Sequence, residues 1–312
     1  MINNKQKNFI SVVIYVYNNQ NQIFETLTNI NNVLNQNFEK YEIICVNDAS
    51  TDNSTKEIEK FSKTLSKEVL RVINMSYYQG LELSMNAGVD LAIGDFVYEF
   101  DSIIQDYDNN LIMDVYKKCL EGYDIVGVTS KKNHKKASSI FYMIFNKYSE
   151  MQYKIHTETF RILSRRAINR VYSIRKNVPY RKAVYACCGL NMFNIIYNSP
   201  KNNKKSFDKK TKNNRKETGI NSLILFTNIG FKFSISMSLI MALFTILVAI
   251  YTIIIFINNE PVQGWTTTML FLSFAFCGLF IILTIIIKYL EIIIELIFKK
   301  KNYTIESIEK LN

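Results

Sequence analysis

Continuous apolar runs and helical repeats take turns along the first 130 residues. "FISVVIYVYN" is one such run, which reads as a buried strand, and the asparagine-rich stretch Asn18 to Asn21 ends it. Ile23, Leu27, Ile30 and Leu34 then recur at helical spacing. "YEIICVNDAS" predicts a second strand. Ser50 or Thr51 can cap the helix after it, with Glu57, Lys60 and Lys63 on the wet side. "VLRVINMS", "DFVYEFD" and "YDIVGVTS" predict three more strands, separated by helices over Leu81 to Ala92 and Leu111 to Leu120. This alternation with short connections predicts an α/β fold with a mostly parallel, doubly wound sheet.

Ligands of such sheets bind beyond the C-terminal strand ends. Three polar clusters fall there: Asn18 with Asn19, Asn47 with Asp48, and the stretch from Asp101 onward. No G-x-G-x-x-G follows the first strand and no Walker loop is present, which argues against a dinucleotide enzyme and a P-loop ATPase. Side-chain carboxylates and amides must then hold the ligand. They suit ribose hydroxyls, a base edge and a metal-bound diphosphate.

The pattern weakens after residue 131. Ala137 to Tyr148 reads as a helix, "TETFRILSRRAINRV" as a short strand entering a basic helix, and 198–218 as a polar loop. "GINSLILFTNIGFKF" repeats at helical spacing and suits a membrane interface. Two charge-free runs follow, Ile235 to Ile257 and Trp265 to Ile287. Each exceeds the roughly 20 residues that cross a bilayer core as a helix. The short turn-like connection between them predicts a hairpin. The expected division is therefore a catalytic domain over 1–218, an interfacial amphipathic helix over 219–233, and a transmembrane hairpin with its tail over 234–312.

Charge sharpens this picture. The net charge of +11 is uneven: residues 1–130 carry 10 basic and 18 acidic groups, whereas residues 131–216 carry 22 basic and 3 acidic. Lys299, Lys300 and Lys301 follow the second run and the connecting loop has no Lys or Arg, which predicts both ends inside. The expected location is the plasma (inner) membrane, multi-pass, with the catalytic domain cytoplasmic. A basic segment beside a bilayer points to membrane lipids or phosphorylated ligands, and not to nucleic acid. The five cysteines show no metal spacing and fit a reducing compartment.

The motifs "ISVVIYVYNN", "EIICVNDASTDNS", "NAGVDLAIGDFVYEFDS" and "FRILSRRAI", in that order and ahead of a two-span tail, resemble family 2 inverting glycosyltransferases. The polyprenyl-phosphate branch, with relatives of dolichyl-phosphate mannose synthase, is the most similar. The resemblance implies a GT-A fold, a nucleotide-diphosphate sugar donor, Mg2+ or Mn2+, and a polyprenyl phosphate or lipid-linked glycan as acceptor. A homo-oligomer is compatible with it. By position it implies nucleotide-sugar contacts from Asn18, Asn19, Asp48 and Asp95. Asp101 matches the first ligand of the Asp-x-Asp metal motif, and Gln105-Asp106 match the Gln-Asp that follows. Arg161 matches the family's Phe-Arg arginine; with Arg165 or Arg166, which point in different directions on a helix, it could clamp the acceptor phosphate.

Several positions depart from the family. Ile103 stands where the second Asp of the metal motif is expected, Asn47 for an Asp, Ala49 for a Gly and Tyr15 for a Pro. Thr159 takes the place of the usual base, with Glu158 beside it as the substitute candidate. Glu99 and Asp101, two apart on a strand, point to one face. A shifted Glu-x-Asp pair could therefore replace the lost carboxylate, giving Asp101, Gln105 and Glu99 as the expected metal ligands and Asp101 with Glu158 as the expected catalytic carboxylates. An ordinary solvated acid is the competing reading of Glu99, and a strand-edge surface acid that of Glu158.

Overall fold

Eight strands join into one mixed sheet in a computed structural model of the chain. It describes residues 5–65, 69–131, 136–149, 151–174, 180–199, 209–227, 264–298 and 303–311, with scattered positions between 229 and 247. The chain runs β1 (Ile10–Val16), α1 (Ile23–Asn37), β2 (Tyr41–Asn47), α2 (Ser54–Ser62), β3 (Val69–Met75), α3 (Leu81–Leu91), β4 (Phe96–Phe100), α4 (Asn110–Leu120), β5 (Ile125–Ser130) and α5 (Lys136–Tyr148). It continues through β6 (Glu158–Ser164), α6 (Arg165–Ile174), α7 (Arg181–Cys187), β7 (Met192–Tyr197), α8 (Lys209–Phe226), α9 (Trp265–Phe298) and β8 (Ile305–Lys310).

The strand order is β7-β5-β6-β4-β1-β2-β3-β8. β1 lies parallel to both β2 and β4, β2 to β3, and β5 to β7. Every residue of β2 is buried, as a parallel strand covered on both faces requires. α1 buries Ile23, Leu27, Ile30 and Leu34 against this sheet, the stripe its spacing predicts. β6 runs antiparallel between β4 and β5. That one reversal matters for the site, because it sets Glu99 opposite Arg161.

The C-terminal residues depart from the expected division. β8 pairs antiparallel with β3, from Arg71 opposite Lys310 to Met75 opposite Ile305. The compact unit that carries the sheet comprises Met1–Lys147, Met151–Gly219 and Lys300–Asn312; the second comprises Tyr148–Glu150 and Ile220–Lys299. The tail expected to belong with the hairpin is thus the edge strand of the sheet. The stretch 198–218, expected as a loop, is helical from Lys209 onward. Of the two charge-free runs, the second falls inside α9, and most of the first lies outside the described residues. Among the described residues no helix is long and apolar enough to cross a membrane.

Candidate functional site

The loops after β1 and β2 are laced together at the C-terminal edge of the sheet. Asn18 accepts from the Thr51 backbone N–H at 2.8 Å through Oδ1, and its own N–H donates to Ser50 Oγ at 3.1 Å. Asn19 N–H donates to Ser54 Oγ at 2.8 Å, while Gln20 N–H donates to Asp52 Oδ2 at 2.9 Å. Gln20 returns the contact, its Oε1 accepting from Asn53 N–H at 3.0 Å. The two Asn residues expected at a nucleotide therefore brace the second loop. Ala49 within it has φ 51, the left-handed region where a glycine costs nothing and a Cβ is strained.

Asp48 sits at the base of this corner and is fully buried. Its Oδ1 accepts from Gln79 N–H at 2.7 Å, and its Oδ2 from Gly80 N–H and Tyr15 O–H, both at 2.8 Å. All three donors are uncharged. Burial raises the pKa of this carboxyl above the ordinary value, and the three hydrogen bonds only partly oppose it. Tyr15, at a position where the resemblance leads one to expect Pro, is thus a partner for Asp48.

The end of β4 is built differently. Glu99 and Asp101 do share a face, as their spacing predicts, but two arginines fill the ground between them. Arg161 donates from Nη1 to Glu99 Oε2, from Nη2 to Asp101 Oδ2 at 2.6 Å, and from Nε to Glu158 Oε2 at 2.6 Å. Arg181, opening α7, donates from Nη1 to Glu99 Oε2 at 2.8 Å, from Nη2 to Asp101 Oδ1 at 2.7 Å, and from Nε to Glu82 Oε2 at 3.0 Å. Tyr185, one turn further along α7, gives its hydroxyl to Glu99 Oε1 at 2.6 Å. Arg161 and Arg181 are 1% and 0% exposed, and Glu99 is 0% exposed. Burial alone would raise the Asp101 pKa, but the guanidiniums of Arg161 and Arg181 outweigh it and hold the carboxyl well below the carboxylate range. Burial likewise disfavours the charged arginines, yet Asp101 and the neighbouring carboxylates keep both firmly protonated.

A model of Glycosyl transferase family 2 matches residues 11–189, which hold β1 through α7 and every residue of this edge just described. The chain belongs to that family. An uncharacterized glycosyltransferase of Synechocystis sp. is 27% identical over 60% of this chain and 60% of its own. An undecaprenyl-phosphate 4-deoxy-4-formamido-L-arabinose transferase of Proteus mirabilis is 34% identical over 40% of this chain and 38% of its own. The chain spans about 60% of the length of the first of these relatives. Among solved structures, glucosyl-3-phosphoglycerate synthase from Mycobacterium tuberculosis in complex with Mn2+, UDP and phosphoglyceric acid aligns with a TM-score of 0.49 at 12% identity, over 70% of this chain and 76% of that one.

Two residues expected at the family's donor and acceptor sites lie at the opposite edge of the sheet. Asp95 precedes β4, whereas Asp101 follows it. Six residue steps along the strand at about 3.3 Å each separate the two by about 20 Å. Asp95 Oδ2 accepts from Phe9 N–H at 2.8 Å, which anchors the entry to β1. β6 runs antiparallel to β4, so the chain from Arg161 to Arg165 moves away from the site. Arg165 donates to the carbonyls of Gly94 and Ala92, and Arg166 pairs with Asp124. Arg165 thus caps the end of α3.

The residues expected to hold Mg2+ or Mn2+ do not fit a divalent ion as they are arranged. Both oxygens of Asp101 and both of Glu99 accept from cationic or hydroxyl donors. Gln105 Oε1 accepts from Asn29 Nδ2 at 2.9 Å. Ile103 is 2% exposed and belongs to the main apolar cluster. Asp106 accepts from Tyr197 O–H at 2.6 Å and Ser199 Oγ at 3.1 Å. Among the described residues no group of three or more Asp, Glu, His or Cys side chains could hold a metal ion. Arg181, the residue that changes the chemistry, went unassigned in the sequence. The available signal was a pair of cations, Arg181 and Lys182, directly ahead of the apolar stretch 183–188.

Proposed function

We propose that this chain is a membrane-associated inverting glycosyltransferase. It moves a hexose from a nucleotide-diphosphate sugar, by preference a UDP-sugar, to a polyprenyl phosphate for cell-surface glycan synthesis. The observation that carries this reading is the interlaced pair of loops holding Asn18, Asn19 and Asp48, beside Asp101, at the strand ends inside the family-matched segment. A phosphate acceptor suits the site better than an alcohol. Glu158, the carboxylate nearest the expected base position, is engaged by Arg161 Nε. An acceptor phosphate is already anionic and needs little general-base help. Similarity to undecaprenyl-phosphate sugar transferases supports the same class of acceptor.

The hairpin of the sequence reading gains a topological argument. β8 lies in the same sheet as β1, so any excursion of the chain between α8 and β8 into a bilayer must return to the face it left. Any such excursion crosses an even number of times. A cysteine placed by Gln263→Cys should be labelled from outside the cell, and one placed by Asn302→Cys only after permeabilisation; the reverse pattern would remove the topology.

The deciding experiment incubates membranes bearing the protein with radiolabelled UDP- and GDP-sugars. Label should pass into an organic-extractable lipid whose mass is that of a polyprenyl monophosphate hexose. A longer saccharide on the product would favour the rival reading, a transferase that extends a lipid-linked oligosaccharide. One observation favours a catalytically silent scaffold instead: Asp48 and Asp101 are both satisfied within the chain. Absence of transfer and of donor hydrolysis across the panel would select it.

A further inference from the structure

We propose that Arg181 fills the cation position beside Asp101, so that donor binding at this site is independent of any divalent metal. The inference rests on the glycosyltransferase reading for the identity of the donor, but not for the geometry. Glu99 and Asp101 form the shifted carboxylate pair that a two-residue spacing on β4 allows, and each guanidinium bridges both of them. Arg161 takes Asp101 Oδ2 and Arg181 takes Asp101 Oδ1, at 2.6 and 2.7 Å. At Glu99 and Asp101 the two guanidiniums stand where one divalent ion would close the pair, while Glu158 and Glu82 take the remaining Nε of each arginine. The chain itself thus supplies the cationic partner of Asp101 that such an ion would supply.

Three features make this exchange specific to the chain. Ile103 puts a hydrocarbon where the second ligand of the metal motif would stand, and it is packed into the core. Asp101 has no oxygen outside these guanidinium contacts, while Mg2+ demands near-octahedral oxygen coordination and Mn2+ likewise favours oxygen donors. Arg181 is locked from three sides: Glu82 accepts both its backbone N–H and its Nε, each at 3.0 Å, and Glu99 and Asp101 take its terminal nitrogens. Because both arginines are buried, they are positioning residues. They neutralise and fix the carboxylates beneath the donor and do not reach out to it.

The test titrates full-length protein in detergent micelles with Mn2+, read by the paramagnetic resonance of the free ion, and with UDP and GDP, read by calorimetry in excess EDTA or in Mn2+. The wild type should leave the Mn2+ signal undiminished, and nucleotide affinity should be the same under both conditions. The variant Arg181→Met removes the resident cation and leaves Glu82, Glu99 and Asp101 around the place it held. It should gain Mn2+ binding, raised about tenfold or more over wild type as a hard-oxygen site forms, and should melt at a higher temperature when Mn2+ is added. A merely structural role for Arg181 would give neither gain. Stoichiometric Mn2+ binding by the wild type that Asp101→Asn abolishes would overturn the proposal without any variant of Arg181 having to fold. Failure of UDP and GDP to bind under either condition would instead count against the donor reading, with the Mn2+ titration still deciding the cation position.

Discussion

Asp48 and Asp101 end neighbouring parts of one sheet, and both are withdrawn from water, yet they are stabilised in opposite ways. Asp48 is held by two backbone N–H groups and one phenol, all neutral. Asp101 is held by two guanidiniums. Neutral donors offset only part of the cost of burying a carboxylate's charge, so the Asp48 pKa rises. Fixed cations more than offset that cost, so the Asp101 pKa falls. Depth of burial therefore does not decide the state of a strand-end carboxylate; the charge of its donors does.

The largest expected effect comes from removing one partner of the charged corner. Arg181→Met leaves Glu99 and Asp101 sharing a single guanidinium and leaves Glu82 only the backbone N–H of residue 181, so it should cost about 3–5 kcal/mol in chemical denaturation of the full-length protein. Glu99→Gln in the same chain should recover part of that loss, because the two side chains share a contact and their effects will not add. Additive losses would mean that the corner is not an electrostatic unit, and the contrast with Asp48 would collapse.

At the neutral corner the corresponding change should cost less. Asp48→Asn keeps one acceptor oxygen and turns an NH2 toward groups that themselves donate. Leaving buried donors unpaired costs about 1–3 kcal/mol. A loss as large as that of Arg181→Met would show that Asp48 is balanced by charges as Asp101 is. A smaller change probes what supports the corner. Gln79 donates its backbone N–H to Asp48, and its side-chain amide exchanges hydrogen bonds with the Thr304 backbone at 2.7 and 2.9 Å, tying the loop to the approach of β8. Gln79→Ala should cost about 1–2 kcal/mol, from the loss of two ordinary hydrogen bonds. It should also speed hydrogen exchange at Gly80 while leaving amides near Asp101 unchanged.

The alternation of strands and helices, the stripe of α1 and the three polar clusters were legible in the sequence because each depends on local periodicity. So was the shared face of Glu99 and Asp101. Arg181 was not, because it lies 80 residues from Asp101 in a stretch whose own periodicity is weak. The separation of Asp95 and Arg165 from Asp101 was hidden for a related reason. Motif order along the chain says nothing about which end of a strand a residue occupies, and one antiparallel strand reverses the direction of approach. β8 escaped notice because its position, after a long apolar helix, made it read as a tail. A six-residue edge strand has too few positions to announce itself. Ile103 looked like a lost ligand; in the fold it is a core residue whose backbone carbonyl accepts from Thr26 Oγ1 at 2.9 Å.

The smallest expected effect, and the one that separates the two corners most directly, is the sign of their pH dependence. An ordinary carboxyl in the unfolded chain titrates near about pH 4. Asp101 has a folded pKa below that value. Between the two, the unfolded state binds more protons than the native state, so stability rises with pH and is lost as pH falls below about 4. Asp48 has a folded pKa above the unfolded value. In the window that opens upward from about pH 4, the native state binds more protons, so its contribution falls as pH rises and is complete only at the acid side. Stability curves for Asp101→Asn and Asp48→Asn, each compared with wild type across this range, should therefore diverge in opposite directions. The Asp101→Asn difference should shrink on acidification. The Asp48→Asn difference should grow, because the protonated wild-type carboxyl loses its burial penalty there while the variant does not change. Parallel curves would show that both carboxylates are ionised alike, and the distinction between neutral and cationic donors would lose its energetic content.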